Sequence, residues 1–265
     1  MNTLEQRMLD ILRELKEQHG AVSLRAEFEA EGTKVEELLR LKELSMAAEL
    51  GLTLKIGGCE SVRDLLESLV VGVDCLVAPM VESPYALRKY LQAVEKVLPA
   101  QERESIEILC NIETLTALQQ LEQMLDVPEV GILNGIVIER VDLCFSLDLD
   151  ERCINNTEVN ELVTKGLTTA KNHRLSTTVG GGVGVDALPF FRSLPAGLMD
   201  RCETRKICFD YGIASKGDLA KGLFKALAFE LLWLRNKLTY YEGIAALDRQ
   251  RMHVIEEQYW KIINA

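Results

Sequence analysis

Apolar side chains recur along this chain with two alternating periods. Leu4, Met8, Ile11, Leu12 and Leu15 fall at helical spacing and predict a helix over 4–16, ended by Gly20. The next stretch switches period: Val22, Leu24, Ala26 and Phe28 share one face, which predicts a strand with an acidic exit. The alternation then repeats. Helices are predicted over 34–49, 61–70, 84–98, 114–125 and 157–171, and strands over 52–58, 73–82, 105–113, 130–138, 174–181 and 201–210. The strand runs are almost continuously apolar, as expected of parallel strands covered on both faces. After Gly217 the pattern is helical over 218–237, with further amphipathic turns from Ile255 to Ile263.

Strands alternating with helices of this length predict one α/β domain over 1–265, a (β/α)8 TIM barrel with a helical C-terminal extension over about 218–265. Seven strands are legible. The eighth is expected at 185–199, unless the barrel is atypical at its N-terminal edge.

Composition narrows the function classes. Thirty basic against 41 acidic residues give a formal charge of -11, which opposes loose binding to nucleic acid. No apolar run is long enough for a membrane span, and the charged N-terminus lacks the apolar stretch of a secretion signal. A cytoplasmic protein is the expectation. The seven cysteines, without CxxC spacing, predict reduced and largely buried thiols.

Candidate chemistry clusters at strand ends. Glu113 closes the apolar strand CNIE, and Asp142 follows the next strand in ERVDLCFSLD. Both carboxyl-end positions of a barrel face one mouth, where two hard oxygen ligands suit Mg2+ or Mn2+. Two helix caps or loop charges would give the same spacing. Arg25 with Glu27 and Glu29, Lys55, and Arg205 also interrupt apolar strands or their ends. Such cations bind a carboxylate or stabilise an enolate, or else pair with a neighbouring strand's acid. Gly181 and Gly182, within GGGVG at 180–184, form either a ligand-contacting loop or a tight turn. No histidine or cysteine cluster suggests zinc, and no nucleophile elbow suggests a hydrolase.

The order PMVES at 79–83, IET at 112–114 and VDL at 141–143 resembles the HpcH/HpaI aldolase and citrate lyase beta-subunit family, over roughly residues 20 to 210. The resemblance implies a barrel of the phosphoenolpyruvate/pyruvate type, often in dimers or hexamers that exchange a C-terminal helix. It also implies a divalent-metal-dependent carbon–carbon lyase or aldolase, acting through an enolate on a small 2-oxo acid, related carboxylate or thioester. By that resemblance Glu113 and Asp142 match the metal ligands, and Pro79 and Met80 match the strand end beside the cleft. Lys55 stands where many relatives carry a substrate-holding arginine, and Glu29 looks like the acid that precedes the aldolase base. Ala30 replaces the usual histidine base, which points away from the plain aldolase subgroup. The competing expectations are a silent small-acid-binding or assembly barrel, and a phosphate- or sugar-binding enzyme without metal.

Overall fold

Helix α1 (Thr3–His19) opens with a capping box, in which Asn2 accepts from the Glu5 amide and Glu5 accepts from Asn2. Gly20 closes it in the left-handed conformation, at φ 74°. The computed structural model describes residues 1–265. After α1 come β1 (Ala21–Glu27), α2 (Val35–Ala47), β2 (Gly51–Lys55), α3 (Val62–Val71) and β3 (Cys75–Ala78). Helix α4 (Pro84–Val97) and the turn α5 (Ala100–Arg103) precede β4 (Glu107–Ile112), and α6 (Leu115–Leu125) precedes β5 (Gly135–Glu139). Then follow α7 (Arg140–Ser146), α8 (Thr157–Asn172), β6 (Ser176–Gly180), α9 (Leu188–Ser193), β7 (Arg201–Glu203), β8 (Ile207–Asp210), the turn α10 (Tyr211–Ala214) and α11 (Leu219–Ile263).

The eight strands close into a barrel in sequence order. Every pair from β1 to β7 is parallel, but β8 runs antiparallel to both neighbours. The barrel is therefore mixed, which corrects the all-parallel expectation. The eighth strand is also not at 185–199, where the chain forms a 3-10 turn and α9. Instead the predicted 201–210 strand folds into a hairpin of two short strands, with Thr204, Arg205 and Lys206 in its turn. Because β7 ends at the mouth, this turn sits on the mouth rim.

Alternation along the strands sorts two apolar layers. Outward residues such as Leu24, Ala26, Leu54, Leu76, Ile112 and Ile138 join the core of 62 buried residues between barrel and helices. Inward residues form a cluster of only four, Cys75, Val77, Leu109 and Val137. Much of the remaining interior is polar. Ser23, Arg25, Glu27, Thr53, Lys55, Asn111, Glu139 and Glu203 are all buried. Charged side chains inside a barrel need partners, and their pairing defines the mouth.

Helix α11 is 45 residues long and continuous, joining the two C-terminal helical segments that sequence patterning separates. Its first half lies on α1 through Leu223, Ala226, Phe229 and Trp233. No helix is long and apolar enough to cross a membrane.

Candidate active site at the barrel mouth

Strand register places the charged groups. Glu27 pairs with Lys55 across β1 and β2, and Glu139 pairs with Gly180 across β5 and β6. Arg25 stands one inward step below Glu27 and is held by three carboxylates: Glu27 at 2.7 Å, Glu139 at 2.9 Å and Glu203 at 3.0 Å. Burial opposes its charge, but Glu203, Glu139 and Glu27 together raise the guanidinium pKa above its ordinary value. Arg25 thus takes the ion-pair alternative. Burial, with Glu139 and Glu27 adding repulsion against the pull of Arg25, pushes the Glu203 carboxyl up to about 7.

Lys55 occupies the centre of the mouth. Its ammonium lies 3.0 Å from Glu29 and 3.7 Å from Glu113. Burial disfavours its charge, yet Glu113 and then Glu139 outweigh this and raise its pKa. Glu113 is almost fully buried and accepts hydrogen bonds from the Met80 amide and from Asn111 Nδ2. Met80 reaches it from a left-handed backbone at φ 51°, rare for a residue other than glycine. Burial raises the Glu113 pKa despite the opposing charge of Lys55. Asp142 sits in the first turn of α7, directly after β5. Partial burial and the nearby Glu139 raise its pKa too, and it has no ion-pair partner.

The sequence-derived residues therefore converge in part. Lys55 contacts Glu29 and Glu113, and Glu113 in turn accepts from the Met80 amide, with Pro79 buried next to it. Asp142 lies within their electrostatic reach, since Glu139, Lys55 and Glu29 all shift it. Arg205 reaches the rim, half-exposed, with Glu31 at 3.7 Å and Glu27 at 4.0 Å. Its neighbour Lys206 is buried and paired with Glu31.

The glycine run answers to the protein's own packing. A Cβ on Gly181, at φ 72°, would stand 2.5 Å from the Arg140 amide nitrogen. Arg140 is fully buried and donates to the carbonyls of Gly180 and Gly182 and to Asn155. Burial lowers its pKa to about 10. The loop is thus a tight turn clamped to the β5–α7 junction.

Sequence reading missed Glu139, Glu203, Asn111 and Arg140. Glu139 carries the same signal as Glu113, an acid ending an apolar strand, and could have been found by it. Glu203 was hidden by the unrecognised hairpin. No group of three or more His, Cys, Asp or Glu side chains is arranged to hold a metal ion. A surface cavity of about 570 Å³ lies outside the barrel, between α8 and α9, away from this chemistry.

A model of the HpcH/HpaI aldolase/citrate lyase family matches residues 19–180. The chain belongs to this family. Among solved structures, an HpcH/HpaI aldolase from Desulfitobacterium hafniense DCB-2 superposes with a TM-score of 0.58 at 14% identity, covering 72% of this chain and 79% of the other. An HpcH/HpaI aldolase/citrate lyase family protein from Burkholderia cenocepacia J2315 gives 0.59 at 14% identity, with 89% and 100% covered. The citrate synthase SbnG gives 0.54 at 14% identity, with 70% and 88% covered. No curated protein matches. At such identities the superpositions show the fold, while the family match places the chain with aldolase- and lyase-type enzymes of small carboxylates. Within the HpcH/HpaI segment lie Lys55, Glu113 and Asp142; the β7–β8 hairpin and α11 fall beyond it.

Proposed function

We propose that this protein is a divalent-metal-dependent carbon–carbon lyase or aldolase for a small 2-oxo acid or a related carboxylate or thioester. The observation that carries the reading is the state of two carboxylates at one mouth. Glu113 is buried with a single cation, Lys55, at 3.7 Å, and Asp142 has none. Both are raised in pKa by burial, so a cation between them and the substrate would be stabilising. Two carboxylates without a third donor suit Mg2+ or Mn2+, which keep water and substrate oxygens in their shells.

In this reading Glu113 and Asp142 would hold the ion, which would supply Lewis acidity to the bound 2-oxo acid. Glu113 is oriented for this by the Met80 amide and Asn111. Lys55 places positive charge against the oxygen on which negative charge grows as the carbon–carbon bond breaks or forms. Glu29, partly exposed and 3.0 Å from Lys55, can accept a proton or orient a water. Arg205 at the rim, with Gly181 and Gly182 beside α7, frames the entrance for the rest of the substrate. The acid excess of the mouth by itself repels an anionic metabolite, and a bound divalent cation would offset it.

The test is thermal unfolding with Mg2+ or Mn2+, with and without oxalate or pyruvate, followed by product analysis. Stabilisation that needs metal and acid together, and is lost in Glu113→Gln and Asp142→Asn, is expected. Its absence in the unaltered protein overturns the reading. A second reading, a small-acid-binding barrel without catalysis, draws on Ala30 in the base position. It predicts the same stabilisation with no product from any 2-oxo acid tested.

A further inference from the structure

One carboxylate of the mouth has no task in the chemistry above. Glu113 and Asp142 are the candidates for the ion, Glu29 pairs with Lys55 at 3.0 Å, and Glu31 pairs with Lys206. Glu27 lies between two cations, with Oε1 2.7 Å from Arg25 and Oε2 4.0 Å from Arg205. Glu203 lies against Arg25 with its Oε1 sealed in the interior. Glu139 is left. Arg25 donates to its Oε1 at 2.9 Å, while no group of the chain donates to Oε2. Unlike Glu203 Oε1, this unpartnered oxygen is not enclosed by the core.

The neighbouring backbone makes room for that carboxylate. A Cβ on Gly180, its partner across β5 and β6, would stand 2.7 Å from Oε1 and 2.8 Å from Oε2, and one on Gly181 would stand 3.1 Å from Oε2. A side chain at 180 would therefore displace Glu139 from where Arg25 holds it. The carboxylate also acts on each group of the ion site. Burial works against the charge of Lys55, and Glu113 and then Glu139 restore it. After burial, Glu139 is the next group to oppose ionisation of Asp142, and it adds to the rise at Glu113. Such influence on residues of three elements requires Glu139 to stand among them.

We propose that Glu139 is the general base of this site, with Oε1 anchored on Arg25 and Oε2 free to exchange a proton with substrate. The inference rests on the lyase reading and assigns its proton transfer. In cleavage of a 4-hydroxy-2-oxo acid, Oε2 takes the proton of the C4 hydroxyl as the C3–C4 bond breaks. The electron pair of that bond passes to C3 and the oxo oxygen, and C4 leaves as an aldehyde. Glu139 then returns its proton to C3, so the protein ends as it began and nothing is oxidised or reduced. In the synthetic direction the same oxygen takes a proton from C3. Glu29, paired with Lys55 and partly exposed, is left to orient water.

The test is exchange of the pyruvate methyl protons in D2O with Mg2+ or Mn2+, followed by proton NMR, beside decarboxylation of oxaloacetate. Decarboxylation forms the same enolate without a protein base, so it reports the ion site alone. The unaltered protein should exchange the protons in a metal-dependent way. In Glu139→Gln the ratio of exchange to decarboxylation should fall at least about 100-fold, and Glu139→Asp should recover part of it. Stabilisation by metal with oxalate should persist in Glu139→Gln, which shows that the variant folds and keeps the ion site. An unaltered protein that is stabilised by metal and oxalate yet exchanges nothing overturns the base and spares the ion site. Absence of both overturns the two readings together. Exchange that survives in Glu139→Gln, or that falls only in step with decarboxylation, or that is lost in Glu29→Gln alone, also overturns the role of Glu139.

Discussion

Arg25→Met tests whether the barrel interior is organised by one cation. The Arg25 side chain is 5% exposed, and its three carboxylate partners are 3% to 7% exposed. Removing the guanidinium leaves Glu27, Glu139 and Glu203 together without it. The loss is capped by the cost of protonating what can no longer be paired. Neutralising a glutamate of ordinary pKa costs about 4 kcal/mol at pH 7 and about 1 kcal/mol at pH 5. Glu203, already pushed up to about 7, takes a proton at little cost, so one further neutralisation sets the magnitude. Urea unfolding should show the variant about 4 kcal/mol less stable at pH 7, within the range for breaking a buried pair. That corresponds to roughly 8–16 °C in Tm for a domain of this size. The variant's carboxylates have folded pKa values above their unfolded ones, so the deficit is absent at low pH and grows as pH rises. At pH 5 it should shrink to about 1 kcal/mol. A loss under about 1 kcal/mol at pH 7, or one equal at both pH values, refutes the reasoning, because lost packing has no such pH dependence.

The remaining predictions use other parts of the same network. Glu203 has a folded pKa of about 7, above its unfolded value, so it favours folding below the unfolded pKa and loses that contribution as pH rises through 7. Stability curves at pH 5 and pH 8 should therefore show Glu203→Gln gaining about 3 kcal/mol on the unaltered chain over that interval; an unchanged difference counts against it. Gly181→Ala combines a left-handed backbone with a contact to the Arg140 amide, and urea unfolding should show a loss of at least about 2 kcal/mol. Lys55→Met removes the charge that lowers the Glu113 pKa, so the pH midpoint of Mn2+ binding by titration calorimetry should move up. A midpoint that stays put separates Lys55 from the ion.

Most elements were legible because the chain punctuates them locally. Gly20 ends α1, Ser83 with Pro84 starts α4, and Thr114 caps α6 by accepting from the Ala117 amide. The closing hairpin was not. Its strands have three and four residues, and its turn of Thr204, Arg205 and Lys206 has no glycine or asparagine to mark it. A ten-residue apolar-and-charged run therefore reads as one strand, and strand direction, which only pairing reveals, is lost with it. At the site, Glu113 and Asp142 stood out because each interrupts or follows an apolar run. Arg140 did not, because an arginine opening a helix looks solvated until Gly180, Gly182 and Asn155 close around it.

The division of the chain at residue 180 then acquires a chemical meaning. The family match ends with β6, and it contains the groups proposed to act on substrate, Lys55, Glu113 and Asp142. At the mouth end of the hairpin beyond it, Glu203, Arg205 and Lys206 meet residues of β1 and its acidic exit: Arg25, Glu27 and Glu31. An antiparallel β8 returns the chain to the base after that contact, so the hairpin turn, and not a further helix, closes the mouth on this side. Two of these contacts are buried: Glu203 with Arg25 at 3.0 Å, and Lys206 with Glu31. Arg205, half-exposed and no closer than 3.7 Å to either acid, gains little from them. A rim cation so weakly engaged by its own chain can turn to an incoming carboxylate at small cost, whereas Lys206 would have to abandon Glu31 inside the protein to do so.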